Sequence, residues 1–261
     1  MKILRLAVTG ALLAMTALHA AATPNATAGA SLTHIAVGVI DLTPSDGAAA
    51  WYQGRFISAN ARGGIYSDTF NQTSWKSINQ PGEVAAATSY GANNASAQVG
   101  LLGEVVAQSN LQSDLGPRAE AYASAGQRYI FTVGAHSMLT VSGQASTWAG
   151  KSADAGELFN AFGKASVELT DDHLWSGYRL NSDFKGAAPA GSRSESFWLS
   201  YANVSDTAMT VNLSFDISGN STVIDTTPPL PVPEPASYAM LGAGLALIGL
   251  MARRRQARRQ G

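Results

Sequence analysis

Residues 208–218 read AMTVNLSFDIS. Met209, Val211, Leu213, Phe215 and Ile217 alternate with Thr210, Asn212, Ser214 and Asp216. A period of two puts the apolar set on one side of an extended chain and the polar set on the other, as in a half-buried β-strand. Just upstream, residues 196–204 (SFWLSYANV) place Phe197, Leu199 and Tyr201 on one face. Ser205, Asp206 and Thr207 between them are turn residues, so the two stretches predict an antiparallel hairpin.

The same period recurs outward from this pair. Further strands are expected at residues 32–42, 99–107, 118–124, 128–133, 138–143 and 165–169. Turns are expected at 125–126 and 134–137, and an Asx/Pro turn where DLTPSDG (41–47) ends a strand. Residues 153–163 read as the one short helix. Residues 60–94, rich in Gly, Ser, Asn and Gln, show little period and predict long loops. Eight or more short strands joined by turns define an all-β class, an antiparallel β-sandwich or jelly-roll-like core.

Charge separates the core from the ends. Of 261 residues, 46% are hydrophobic and 13% charged, with a formal net charge of −1. Seven of the 17 basic residues lie at the two termini. Between residues 23 and 232, ten basic residues face seventeen acidic ones, a net charge of −7. Phosphate recognition needs an excess of Lys and Arg, so nucleic acid is excluded as a partner. The chain has no cysteine, which removes thiol nucleophiles and thiolate metal sites and suits an exported protein independent of disulfides.

The N-terminus reads as a signal peptide over residues 1–22: Lys2 and Arg5, an apolar stretch to Leu18, then Ala20, Ala21 and Ala22 for cleavage. An exported domain is expected over residues 23–225. Residues 226–235 (TTPPLPVPEP) form a proline-rich spacer, because proline lacks an N–H and disfavours helix before it. Residues 236–252 are an apolar run whose roughly 17 residues make a helix of about 25 Å, at the short limit for a single transmembrane helix. Five arginines within residues 253–261 place that end in the cytoplasm and the core outside.

Val232, Pro233, Glu234, Pro235, the apolar helix and the cluster starting at Arg253, Arg254 and Arg255 together resemble the PEP-CTERM sorting signal. The resemblance covers about the last 30 residues and implies a Gram-negative exporter. There exosortase, a membrane cysteine transpeptidase, processes the tail near the Pro-Glu-Pro triplet. The named residues would be recognition elements. The implied partners are exosortase and, transiently, the inner membrane. The implied destination is the cell surface or an extracellular matrix of exopolysaccharide or biofilm.

No catalytic signature occurs in the core: no G-x-S-x-G, no P-loop, no dinucleotide fingerprint. Glu104, Glu120, Glu157 and Glu168 could supply a glycosidase pair, but no motif selects two of them. Asp171, Asp172 and His173 are the densest ionisable cluster, yet neighbours on a strand point oppositely and the triplet suits a polar turn. The histidines share no ligand spacing, so neither metal nor cofactor is expected. Trp51, Trp75, Trp148 and Trp175, with Tyr52 and Tyr178, fall in or near expected loops. Their rings could stack on sugars of an extracellular polysaccharide; burial in the sandwich core or ends is the commoner fate of such rings. The reading is therefore a non-enzymatic structural or adhesive protein. The alternatives are a carbohydrate-binding or glycan-active protein, and a plain membrane-anchored envelope protein.

Overall fold

The computed structural model describes residues 25–112, 115, 118–151, 159–171, 175–185 and 190–224. Among them twelve strands form two antiparallel sheets of six, and there is no α-helix. The first sheet runs, edge to edge, β11 (Gly191–Asn203), β8 (Ser137–Lys151), β1 (Asn25–Asp41), β6 (Val105–Gln112), β5 (Asn93–Val99) and β4 (Val84–Tyr90). The second runs β10 (Trp175–Lys185), β9 (Phe159–Thr170), β12 (Met209–Ile224), β7 (Arg118–Val133), β2 (Tyr52–Ser67) and β3 (Asn71–Ile78). Their apolar faces meet in a sandwich-like arrangement, and the alternation read in residues 208–218 buries Val211, Leu213, Phe215 and Ile217 between the sheets.

The core is built largely of alanine. Ala28, Ala30, Ala59, Ala61, Ala95, Ala107 and Ala121 are fully buried. Small side chains let the sheets approach, and along one row they touch backbone to backbone. Gly63, Ala123, Gly219, Gly163 and Ser182 are register partners across β2, β7, β12, β9 and β10. A Cβ on Gly163 would lie 2.3 Å from the Gly29 carbonyl oxygen, and one on Gly219 would lie 2.8 Å from that of Ala28. Hydroxyls line the same waist: Thr88 donates to the Gly63 carbonyl at 3.0 Å, Ser109 bonds Ser221 at 2.9 Å, and Thr147 bonds Ser182 at 2.7 Å. On one side of the waist lies a larger cluster with Phe131, Leu139, Leu213 and Phe215. On the other lies a smaller one with Ile65, Leu111, Phe159 and Val223.

Three connections at one end cross between the sheets and stack on each other. The Leu42 N–H donates to the His136 carbonyl at 2.9 Å, and the His136 N–H donates to that of Ser205 at 3.3 Å. Buried Asn203 fastens the stack, its amide donating to the carbonyls of Gly134 at 2.8 Å and Thr207 at 2.7 Å. At 41–47 the Asp41 carboxylate accepts the Thr43 N–H at 2.8 Å, the Asx turn read from sequence.

Several local expectations are corrected. Residues 205–207 do turn the chain, but β11 pairs with β8 in the first sheet and β12 with β7 and β9 in the second, so the two strands are not a hairpin. Turn chemistry is the same for a hairpin and a sheet-crossing connection, and only distant partners decide between them. Ala125 and Gly126 lie inside continuous β7, where the Asp216 carboxylate occupies the space of a Gly126 side chain. The strand expected at 99–107 is broken by a turn at 100–104, where Leu102 and Gly103 have positive φ. Residues 159–163 of the expected helix belong to β9; residues 152–158 lie outside the described residues. Residues 60–94 are mostly β2, β3, β4 and the start of β5 rather than long loops; small residues such as Ala61, Gly63, Ala86 and Thr88 share their buried positions with Ile65 and Val84. The signal peptide, spacer, apolar helix and arginine tail expected from the sequence all lie outside the described residues.

Candidate functional site

Inward positions are taken by the core, which leaves the two outward faces as the broadest surfaces for binding chemistry among the described residues. On the second sheet that face is charged and aromatic. Arg62, Glu120, Arg128, Lys164, Glu168 and Arg179 occupy outward positions, set by alternation with buried neighbours. Tyr66 and Tyr122 stack with centroids 5.4 Å apart and planes 6° apart, their hydroxyls 3.0 Å from each other. The Tyr122 ring lies over Gly64, and the Arg62 guanidinium sits 4.9 Å from its centroid. Burial raises the Tyr122 hydroxyl above its ordinary pKa, while the hydrogen bond with Thr73 lowers that of Tyr66.

Toward the middle of this face a depression of about 410 Å³ is lined by Arg128, Tyr129, Glu168, Asn212 and Asp216, among others. Burial pushes the Asp216 carboxyl above the usual carboxylate range, Arg128 opposes this and Glu168 adds to it. A carboxyl held toward its neutral form near a second carboxylate is the chemistry that acid-assisted glycoside hydrolysis uses. Of the four glutamates singled out from sequence, Glu168 lies here. Glu104 sits in the turn of the first sheet, Glu120 accepts a hydrogen bond from Asn220 at 2.6 Å, and Glu157 lies outside the described residues. Asp216 was not singled out; its signal was a lone carboxylate at an outward position of the most regular strand. Asp171 accepts the Tyr201 hydroxyl at 2.7 Å, and Asp172 and His173 lie outside the described residues. Among the described residues no three potential metal ligands cluster.

The tryptophans do not converge. Trp75 lies on edge strand β3 and Trp175 begins β10 at the opposite edge, both on the outward face of the second sheet. Five strand spacings of about 4.8 Å, with a register offset of six residues along β9, put them roughly 30 Å apart. Trp51 packs over Gly134 at the stacked connections. Trp148 lies on β8 of the first sheet, over Gly29. All four were expected in or near loops: Trp51 lies in the connection before β2, whereas Trp75, Trp148 and Trp175 are strand residues, and Trp51, Trp75 and Trp175 are exposed by 48%, 62% and 65%. Trp198 on β11 is 58% exposed and carries no signal of its own in the sequence, since it sits between the inward-facing Phe197 and Leu199.

The chain is thus an all-β protein of two antiparallel sheets followed by a C-terminal signal segment. That segment is matched, over residues 231–255, by the family model of the PEP-CTERM protein-sorting motif, and the match contains Val232, Pro233, Glu234, Pro235, Arg253, Arg254 and Arg255. The chain is a PEP-CTERM sorting domain-containing protein, and the motif supports an exported protein sorted by exosortase. No curated protein and no solved structure matches the chain.

Proposed function

We propose that this protein is a non-catalytic structural or adhesive component of the cell surface or extracellular matrix, delivered by exosortase through its C-terminal signal. The observation that carries this reading is the sorting motif at residues 231–255, behind a β-sheet core with broad outward faces. The signal holds the chain at the inner membrane until the tail is processed near Pro233-Glu234-Pro235; the core then acts outside the cell. Intact mass and fractionation in a native host test it. The expected product ends near Pro235 and leaves the membrane fraction. In an exosortase-deleted host, or with Glu234→Ala, the full tail should persist. An unchanged mass and location in the deletion strain would refute sorting and leave a plain anchored envelope protein.

The exposed tryptophans and the Glu168–Asp216 depression favour a second reading, a carbohydrate-binding or glycan-active core. Hydrolysis of polysaccharide by the wild type, lost in Glu168→Gln and Asp216→Asn, would select the active form of that reading.

A further inference from the structure

The two outward faces differ in charge. The second sheet carries both signs, as described above. The first sheet carries none: among the described residues, no outward position of β4, β5, β6, β1, β8 or β11 is Asp, Glu, Lys or Arg. These positions alternate with Ala86, Ala97, Ala107, Leu32, Val141 and Leu199, which point into the core. Serine, threonine, asparagine and glutamine fill most of them.

Along the β8–β11 side this face has a linear order. Trp148 pairs across the strands with Ser192, Ser146 with Ser194, Gln144 with Ser196, and Ser142 with Trp198. Ser194 is held at 2.9 Å from the Ser146 hydroxyl and accepts the Gln144 amide at 3.0 Å. Six residues separate the two ring-bearing ends, about 20 Å of strand. Arg193 and Glu195 alternate with the track. Arg193 reaches the Asn181 carbonyl at 3.4 Å, and Glu195 accepts the Tyr178 hydroxyl at 3.3 Å and pairs with Arg193 at 3.1 Å. Their charges are engaged on the β10 side.

The geometry points to this track as a binding site for a neutral polysaccharide chain: Trp148 and Trp198 stack on sugar rings, and the hydroxyl and amide groups between them bond sugar hydroxyls. Charge complementarity selects the ligand. A face without charge offers no counter-ion to nucleic acid, polyuronate or anionic lipid, whereas an uncharged polyol has no charge to desolvate and can exchange its water for the hydroxyls and amides of the face. The flat track admits a chain of several rings running along the strands, where the Glu168–Asp216 depression would admit a short segment. This deepens the carbohydrate-binding reading above. Binding is measured on purified protein, so a sorting failure and a binding failure are read separately.

The test is affinity electrophoresis of the full chain in detergent, in gels containing dextran, hydroxyethylcellulose or laminarin, with alginate as the charged counterpart. At least one neutral polymer should retard the wild type. Trp198→Ala, Trp148→Ala and Ser194→Glu should each weaken retardation at least tenfold, while the Trp75→Ala/Trp175→Ala double variant retains it; circular dichroism verifies that each variant folds. Loss confined to the Trp75/Trp175 variant would overturn the track and keep carbohydrate binding on the other face. Retardation by alginate alone, or by no polymer, would overturn the proposal. So would concentration-dependent dimerisation abolished by Trp198→Ala without retardation, because the occupant would then be a second copy.

Discussion

Replacing Gly163 with alanine adds one methyl group where the sheets already touch. The new Cβ would stand 2.3 Å from the Gly29 carbonyl oxygen and 2.8 Å from that of Trp148. Both are backbone atoms of the opposite sheet, so no side chain can rotate away. Restoring ordinary contact at 3.4 Å requires the sheets to part by roughly 1 Å, a gap that forfeits a quarter to a half of the dispersion attraction between the atoms it separates. Overpacking costs about 1–3 kcal/mol, and rigid neighbours place this site at the upper end. Reduced freedom of the unfolded chain returns up to about 1 kcal/mol. The net loss of about 2 kcal/mol lowers Tm by roughly 4–8 °C in a domain of this size. Gly191→Ala is the control, because a Cβ there meets nothing within 4 Å. Far-UV circular dichroism melts of wild type and both variants decide the matter. If Gly163→Ala melts with Gly191→Ala, the waist is not close-packed and the reasoning fails.

Gln127, buried on β7, accepts the Gly103 N–H and donates to the Gly100 carbonyl at 3.3 Å, pinning the turn at 100–104. Gln127→Met keeps the volume and strands both backbone groups, so urea denaturation should show a loss of about 2–4 kcal/mol. Asn203→Ala removes the fastening of the stacked connections and should cost about 2–4 kcal/mol in the same assay, with the Val133, Gly134 and Thr207 carbonyls losing their shared donor. Burial raises the Tyr201 hydroxyl to about 12, with Asp171 adding, and raises Tyr178 to about 12, with Glu195 adding. Unfolding returns both to about 10, so stability is intact below pH 10 and falls as pH rises toward 12. Tyr201→Phe and Tyr178→Phe should each flatten that alkaline fall in pH-dependent melts. Asp216→Asn removes a carboxyl whose ionisation the fold disfavours and should raise Tm at neutral pH and leave it nearly unchanged at pH 3.

The strands with large residues were legible before the structure. β12 announces itself because Met209, Val211, Leu213, Phe215 and Ile217 differ sharply from their neighbours. β2, β4 and β5 hide because Ala59, Ala61, Ala86, Ala95 and Ala97 contrast weakly with serine and glycine, though they are as deeply buried. The glycines that looked like breaks, such as Gly126, are strand positions overlain by another side chain. Pairing was not legible at all: residues 205–207 carry turn chemistry, while the partners of the strands beside them lie tens of residues away. For the candidate sites, the sorting signal is a contiguous string and can be read directly. The uncharged track is assembled from β8 and β11, with neither strand unusual alone, and only their register aligns Trp148, Ser194 and Trp198.

The last strand among the described residues is also the keystone of the second sheet. β12 is clasped between β7 and β9, and β1 pairs with β8, whose partner residues follow about a hundred positions later. Such long-range pairing makes closure late and slow. In a chain exported N-terminus first, β7 and β9 therefore lack the strand that joins them until residue 224 has emerged, and the sorting motif begins at residue 231. Topology thereby sets an order: the second sheet can be completed only when the residues just ahead of the sorting motif are in place.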